Sequence, residues 1–230
     1  MKKKGIILPG KIGDIIICLP IAKHYYDLGF EIYWPIYNFY TKNFINYINY
    51  VKFIPVDINN CIDASFYILN QLNCEIIDLS FTSPGSWHNQ NSSKFLNQTK
   101  SFDEFRYDLA NVPFYKKWTL DINRNTYKED ELYSSLVRKD YVAMHLEGSD
   151  GRKDITIENP KDYQIIDIHQ KTDSVFDWIK ILQNAKQLIM FDSCFANLTE
   201  QLNFPNKKIF LKRSDDLRTP VLKNNWSIIK

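Results

Sequence analysis

A chain of 230 residues, 44% hydrophobic and 24% charged, can bury a substantial core as one large domain or two small ones. Its 29 basic and 27 acidic residues leave a net charge of +2, which excludes a strong field for non-specific polyanion binding but allows a small anionic ligand. The first apolar run is broken at Pro9-Gly10, too soon for a secretory leader, and no stretch approaches the roughly 18 apolar residues of a membrane span, so a cytoplasmic setting is expected.

The elements then follow in order. Lys2-Lys3-Lys4 reads as the solvated start of a first strand, with Gly5-Ile6-Ile7-Leu8 a short buried parallel strand. A helix is expected over 14–28, stopped by Gly29, with Pro20 early enough to be tolerated or to kink it. Strands at 31–36, 51–56 and 74–79 alternate with helices at 38–49 and 61–72, the signature of βαβ units and a mostly parallel sheet. Residues 80–98 dissolve into Ser, Thr, Pro, Gly, Asn and Gln and read as one long loop. Ser101 with Glu104 forms a capping box opening a helix to about Asn111, and a further helix covers 126–137. The strand–helix rhythm restarts at 141–146. It continues with a polar loop over 147–154, strands at 163–168, 187–191 and 208–211, helices at 174–185 and 193–202, and an edge strand at 226–229. Two α/β runs argue for two lobes, 1–137 and 138–230.

Three segments carry chemistry. Gly10, Lys11, Gly13 and Asp14 stand at the carboxyl end of the first strand, where open parallel sheets bind ligands. The spacing is neither a dinucleotide fingerprint nor a Walker loop, so Asp14 is either a helix cap or a base exposed at a cleft. At the far end, Asp192-Ser193 closes a strand and opens a helix whose amides suit an anion, although Ser193 serves equally well as a cap. Glu200, about two turns on, reads as solvated. Between them, the loop of Gly148, Ser149, Arg152 and Lys153 suits a diphosphate or is simply a polar hairpin. His145 alternates with apolar neighbours and reads as a satisfied core histidine. Aromatic residues from Tyr37 to Tyr50 line an acceptor groove or pack the core.

Together these segments resemble the ADP-heptose:lipopolysaccharide heptosyltransferases and their relatives, glycosyltransferase family nine. The resemblance lies in Ile12-Gly13-Asp14 running to Pro20-Ile21, in Asn184 to Ser193 continuing to Asn197-Leu198, and more weakly in Glu147-Gly148-Ser149 with Arg152-Lys153. Asn197 stands where that family often has His. The resemblance implies a GT-B architecture, two small Rossmann-like lobes whose parallel sheets face a central cleft, with the acceptor and base on the first lobe and the donor on the second. It also implies an inverting, metal-independent transfer of a sugar from a nucleotide-sugar donor to a hydroxyl of a glycan or glycolipid, with no cofactor. Asp14 would be the general base, and Gly10, Lys11 and Gly13 would let the substrates approach. Gly148, Ser149, Arg152, Lys153, Asp192, Ser193 and Asn197 would hold the donor.

Besides another nucleotide-sugar enzyme, such as an epimerase or hydrolase, two other readings stay open. One is a reduced scaffold that binds a nucleotide or nucleotide sugar without catalysis. The other is a glycosyltransferase acting on modified DNA, which the near-neutral charge disfavours unless Lys2, Lys3, Lys4, Lys42, Lys94, Lys116 and Lys117 gather along one cleft. Peripheral contact with a membrane surface also stays open. Cys18, Cys61, Cys74 and Cys194 lack the close pairing of metal or redox motifs and read as buried free thiols.

Overall fold

The structure is a computed structural model that describes residues 2–57, 59, 61–81, 89–148, 151–152, 155, 162–169, 172–213 and 218–229. It divides into two compact units, 1–123 and 124–230.

In the first unit, β1 (Lys3–Ile7), β2 (Glu31–Tyr37), β3 (Lys52–Val56) and β4 (Glu75–Asp78) form a parallel sheet in the order β3-β2-β1-β4. The apolar run suits β1 to an inner position: Ile6, Ile7 and the following Leu8 are buried. Helix α1 (Ile12–Asp27) packs with α5 (Phe102–Leu109), whereas α3 (Cys61–Gln71) packs against β1, β2 and β3. The chain steps outward from β1 to β3 and then returns past β1 to β4. Right-handed crossovers therefore put α1 and α3 on opposite faces, and the strand order reverses between β1 and β4.

The second unit contains α6 (Thr126–Leu136), β5 (Tyr141–His145), a hairpin of β6 (Glu147–Gly148) and β7 (Gly151–Arg152), then β8 (Gln164–Asp167), α7 (Ile179–Asn184), β9 (Gln187–Phe191), α8 (Cys194–Leu202), β10 (Lys207–Leu211) and β11 (Trp226–Ile229). Its parallel sheet runs β11-β10-β9-β5-β8, so the order reverses between β5 and β9. The expected edge strand is present: β11 pairs only with β10 among the described strands and leaves Ile228 and Ile229 exposed.

Several expectations need correction. The helix expected over 38–49 contracts to a 3-10 turn, Asn38–Tyr40, and one turn of α2 (Thr41–Phe44). The chain there is rich in Asn and aromatic residues of modest helix propensity, and burial of Phe44, Tyr47 and Ile48 fixes its path instead. The loop expected over 80–98 contains α4 (Asn89–Leu96). Helix α6, assigned to the first lobe on sequence, falls in the second unit. Arg124 binds Glu129 and Gln183 there, and Lys180 pairs with Asp130 at 2.6 Å. The lysine run is not uniformly solvated, because Lys4 is buried, paired with Glu75 and set 4.4 Å from the Tyr25 ring centroid. Glu200 is not solvated either. It is fully buried and receives Lys223 N–H at 2.8 Å and Trp226 Nε1–H at 2.7 Å, which tethers the chain entering β11.

All four cysteines are free thiols, Cys18 and Cys61 buried, Cys74 and Cys194 half-buried. Burial pushes Cys18 and Cys194 up to about 12. Among the described residues no helix is long and apolar enough to cross a membrane, and no group of three or more His, Cys, Asp or Glu side chains is placed to hold a metal ion.

Candidate active-site residues

Beyond β1 the chain turns through Leu8 to Lys11, with Gly10 N–H donating to Leu8 O at 2.8 Å. Helix α1 begins at Ile12, so Asp14 lies in its first turn rather than at the cap position. Its Oδ2 accepts the N–H of Lys11 at 2.9 Å, satisfying one of the orphan donors of a helix start. Its Oδ1 accepts from Arg106 Nη1 at 2.6 Å. The cap and the cleft readings of Asp14 are thus not exclusive: one oxygen caps, the other is held by a cation, and the side chain keeps 28% of its exposure. Gly10 is required by close approach, since a Cβ there would stand 2.5 Å from that of Asp14. Gly13 occupies the first turn of α1, and Lys11 is exposed just before it.

Arg106 comes from α5 and is largely buried, its guanidinium 5.0 Å from the ring centroids of both Phe81 and Phe102. Burial opposes its charge, but Asp14, Cys18 and Asp103 outweigh that and hold the guanidinium above its ordinary value. Beneath it lies a second ion pair, Lys117 Nζ to Asp103 Oδ2 at 2.6 Å, with both side chains fully buried. Ser101 Oγ donates to the other Asp103 oxygen at 2.5 Å. Two acids and two bases therefore support the first turn of α1. Lys117 and Lys4, both buried and paired, are not available to a polyanion.

In the second unit the reversal point between β5 and β9 joins His145 and Ser193: Nδ1 and Oγ are 2.9 Å apart. Burial pushes the imidazole down to about 4, so it is neutral near pH 7. Ser193 occupies the cap position of α8, but its hydroxyl makes no cap hydrogen bond. Ser193 thus leaves the first-turn amides of α8 uncapped by its own hydroxyl, a feature suited to an anion. Asn197, in the same helix, donates from Nδ2 to Ser193 O at 3.1 Å, and among the described residues its buried Oδ1 has no hydrogen-bond partner. Asp192 N–H donates to Leu211 O at 3.1 Å, tying the turn to β10.

Gly148 presses on β9, where an added Cβ would lie 2.2 Å from the Phe191 ring. Arg213 packs on the same ring, 5.3 Å from its centroid, with Nη2 3.0 Å from that added Cβ, and donates to Asp192 O at 2.7 Å. Arg152 reaches Asp167 at 2.7 Å. Ser149 and Lys153 lie outside the described residues.

The structure brings Gly10 and Asp14 together in one unit and joins Gly148 to the Asp192-Ser193 turn in the other. Sequence reasoning missed Arg106 and Arg213. Arg106 stands in the last turn of the helix that Ser101 and Glu104 open, and nothing local marks it as a partner of Asp14.

Two parallel sheets, each with a polar turn at its reversal point, define an α/β fold of the GT-B type. Solved glycosyltransferases share it. The chain is similar to the glycosyl transferase family 9 protein from Veillonella parvula DSM 2008, with 12% identity, a TM-score of 0.63, and 99% of this chain and 85% of that one covered. It is similar to E. coli ADP-heptose lps heptosyltransferase II, with 13% identity, a TM-score of 0.61, and 100% and 90% covered. It is also similar to E. coli heptosyltransferase WaaC, solved with ADP-2-deoxy-2-fluoro heptose, with 13% identity, a TM-score of 0.55, and 100% and 93% covered. No protein-family model and no curated protein sequence matches the chain.

Proposed function

We propose that this protein is an inverting glycosyltransferase that moves a sugar from a nucleotide-sugar donor to a hydroxyl of a glycan or glycolipid, without an essential metal. The observation that carries the reading is the Asp14 carboxylate, partly exposed at the reversal point of the first sheet and oriented by Arg106 and the Lys11 amide. A carboxylate so fixed is suited to taking the proton of an attacking hydroxyl. The uncapped first turn of α8, with Ser193 held by neutral His145, supports donor phosphate binding on the second unit. Arg213 and Arg152 stand near that turn or its hairpin as cations for the departing diphosphate. One solved neighbour holds ADP-2-deoxy-2-fluoro heptose, which makes ADP-sugars the first donors to try.

The reading is tested by Asp14→Asn, which keeps the shape of the side chain. Transfer should fall by about 10²–10⁴-fold, with folding retained and nucleotide binding unchanged.

A second reading is a binding module without catalysis. It is favoured by one fact, that both Asp14 oxygens already have partners. Thermal-shift screening against nucleotides and nucleotide sugars, with and without pooled glycan acceptors, separates the two. Acceptor-dependent nucleotide release supports the enzyme, and stabilisation with no turnover supports the module.

A further inference from the structure

The carboxyl ends of β5, β8 and β9 carry a charged pair built unlike that of Asp14 and Arg106. Arg152 of β7 reaches across to β8, where its Nη2 lies 2.7 Å from Asp167 Oδ2. Asp167 pairs in register with Met144, the residue before His145, and Ile168 N–H donates to Met144 O at 2.6 Å. Neighbouring strands lie about 4.8 Å apart. The acid therefore stands one strand from His145, whose Nδ1 is 2.9 Å from Ser193 Oγ. Burial acts first on that imidazole, and then Asp167 favours its charge and Arg152 opposes it. The pair thus belongs to the same polar cluster as the start of α8.

The contrast with Asp14 and Arg106 lies in how firmly the acid is held. Asp14 has a partner on each oxygen, and the Arg106 side chain is 10% exposed between two aromatic rings. Arg152 and Asp167 keep 46% and 35% of their side-chain exposure. Asp167 Oδ1 is buried and, among the described residues, accepts no hydrogen bond. A carboxylate that orients a functional group is ordinarily fixed by its own partners, and this one has an orphaned oxygen. His145, neutral near pH 7, supplies no cation to compensate it. An ion pair so open to solvent contributes little, whereas a phosphate offers the guanidinium two parallel hydrogen bonds.

We propose that Asp167 is a competitor built into the second unit: it and the phosphates of the ligand bind the Arg152 guanidinium in turn. This rests on the reading of that unit as the nucleotide-sugar side. Arg152 must leave Asp167 before it can hold a diphosphate, so the acid weakens donor binding. It weakens retention of the nucleoside diphosphate product in the same way, and release of product is a step that commonly limits turnover. Glu147 stands opposite Arg152 in the hairpin register, so loss of Asp167 removes one neighbouring acid and leaves another. The expected effect is accordingly modest.

The test is a calorimetric titration of the full-length protein with ADP, UDP and inorganic pyrophosphate, as wild type, Asp167→Asn, Arg152→Gln and the double variant. Asp167→Asn should tighten the ligands that bind by about three- to fivefold, and Arg152→Gln should weaken them. In the double variant the gain from Asp167→Asn should vanish. Asp167→Ser, which also removes the charge, repeats the measurement without a new amide. A gain that persists without Arg152 makes Asp167 a plain repulsive charge and overturns the competition. Equal or weaker binding by both Asp167 variants overturns it too, because an acid that merely positions Arg152 behaves that way. If none of the three ligands binds any of the proteins, the donor reading falls and the competition with it. If they bind and only the gain is missing, the donor side stands and the competition alone is lost.

Discussion

Arg106 and Asp14 are 92 residues apart in sequence, yet Nη1 and Oδ1 meet at 2.6 Å. The guanidinium is clamped between Phe81 and Phe102, and that clamp lets it act as a fixed strut rather than a mobile surface cation. The carboxylate it holds is thereby locked in one rotamer, with the second oxygen turned to the Lys11 amide. A group that must take a proton from a substrate benefits from this restraint, since orientation is fixed before the substrate arrives.

Arg106→Lys keeps the charge but loses the planar fork and its fit between the rings. Turnover should fall about 10-fold while the donor KM is unchanged, a split that a general loss of stability would not produce. Arg106→Met should cost more, about 3 kcal/mol of stability in a denaturant titration, the lower end of the range for breaking a buried pair because water still reaches Asp14.

Much of this architecture was legible along the chain. The strands wrote themselves as short apolar runs, and Asp14 stood out because it followed two glycines at the end of the first of them. What stayed hidden depends on tertiary packing. Arg106 looks like any polar residue in a short helix until α5 is laid against α1. Glu200, at ordinary helical spacing, read as solvated because nothing local reveals that Lys223 and the first residue of β11, Trp226, fold over it as donors. The helix at 38–49 failed for the opposite reason, since its aromatic residues satisfied a helical pattern while the core pulled Phe44 and Tyr47 inward and left Phe39 exposed and Tyr40 half-buried.

Gly10→Ala tests how closely the first turn of α1 is fitted to the turn before it. The new methyl would meet Asp14 Cβ at 2.5 Å and Cγ at 2.9 Å, both fixed by the carboxylate's two hydrogen bonds. Asp14 must move, so transfer should fall at least about 10-fold, as expected when a reacting group is displaced by a fraction of its contact distance. Gly29→Ala is the comparison: among the described residues no neighbouring atom lies within 4 Å of a Cβ there, and its positive φ of 88° predicts a loss of about 1 kcal/mol in stability with turnover intact.

The His145 imidazole predicts a pH effect on stability. Its folded value of about 4 lies below the ordinary 6.5, so the unfolded chain takes up a proton first as the pH falls. Stability from this group is fully present above about 6.5 and is lost between there and about 4, a swing of about 3 kcal/mol. Burial lowers His24 as well, and carboxylates titrate near the bottom of the window, so the comparison must be made with His145→Gln. The difference between the two proteins in urea melts from pH 4 to pH 7 should show the slope. A constant difference across that range would refute the assignment.

The Asp103–Lys117 pair allows support to be separated from chemistry. Both side chains are fully buried at 2.6 Å, and Asp103 also accepts from Ser101 and helps to hold the Arg106 charge. Removing one partner leaves a charge in a low-dielectric interior, so Lys117→Met should cost about 3–5 kcal/mol. Replacing both, as Asp103→Leu with Lys117→Met, removes the stranded charge and should recover most of that loss. The double variant should not recover transfer to the same degree, because Arg106 then keeps Asp14 as a partner but loses the second carboxylate that favours its charge. Denaturant melts and turnover measured on the single and double variants should therefore part company. If activity follows stability in every variant, the pair is a fold support alone and Arg106 orients Asp14 without it.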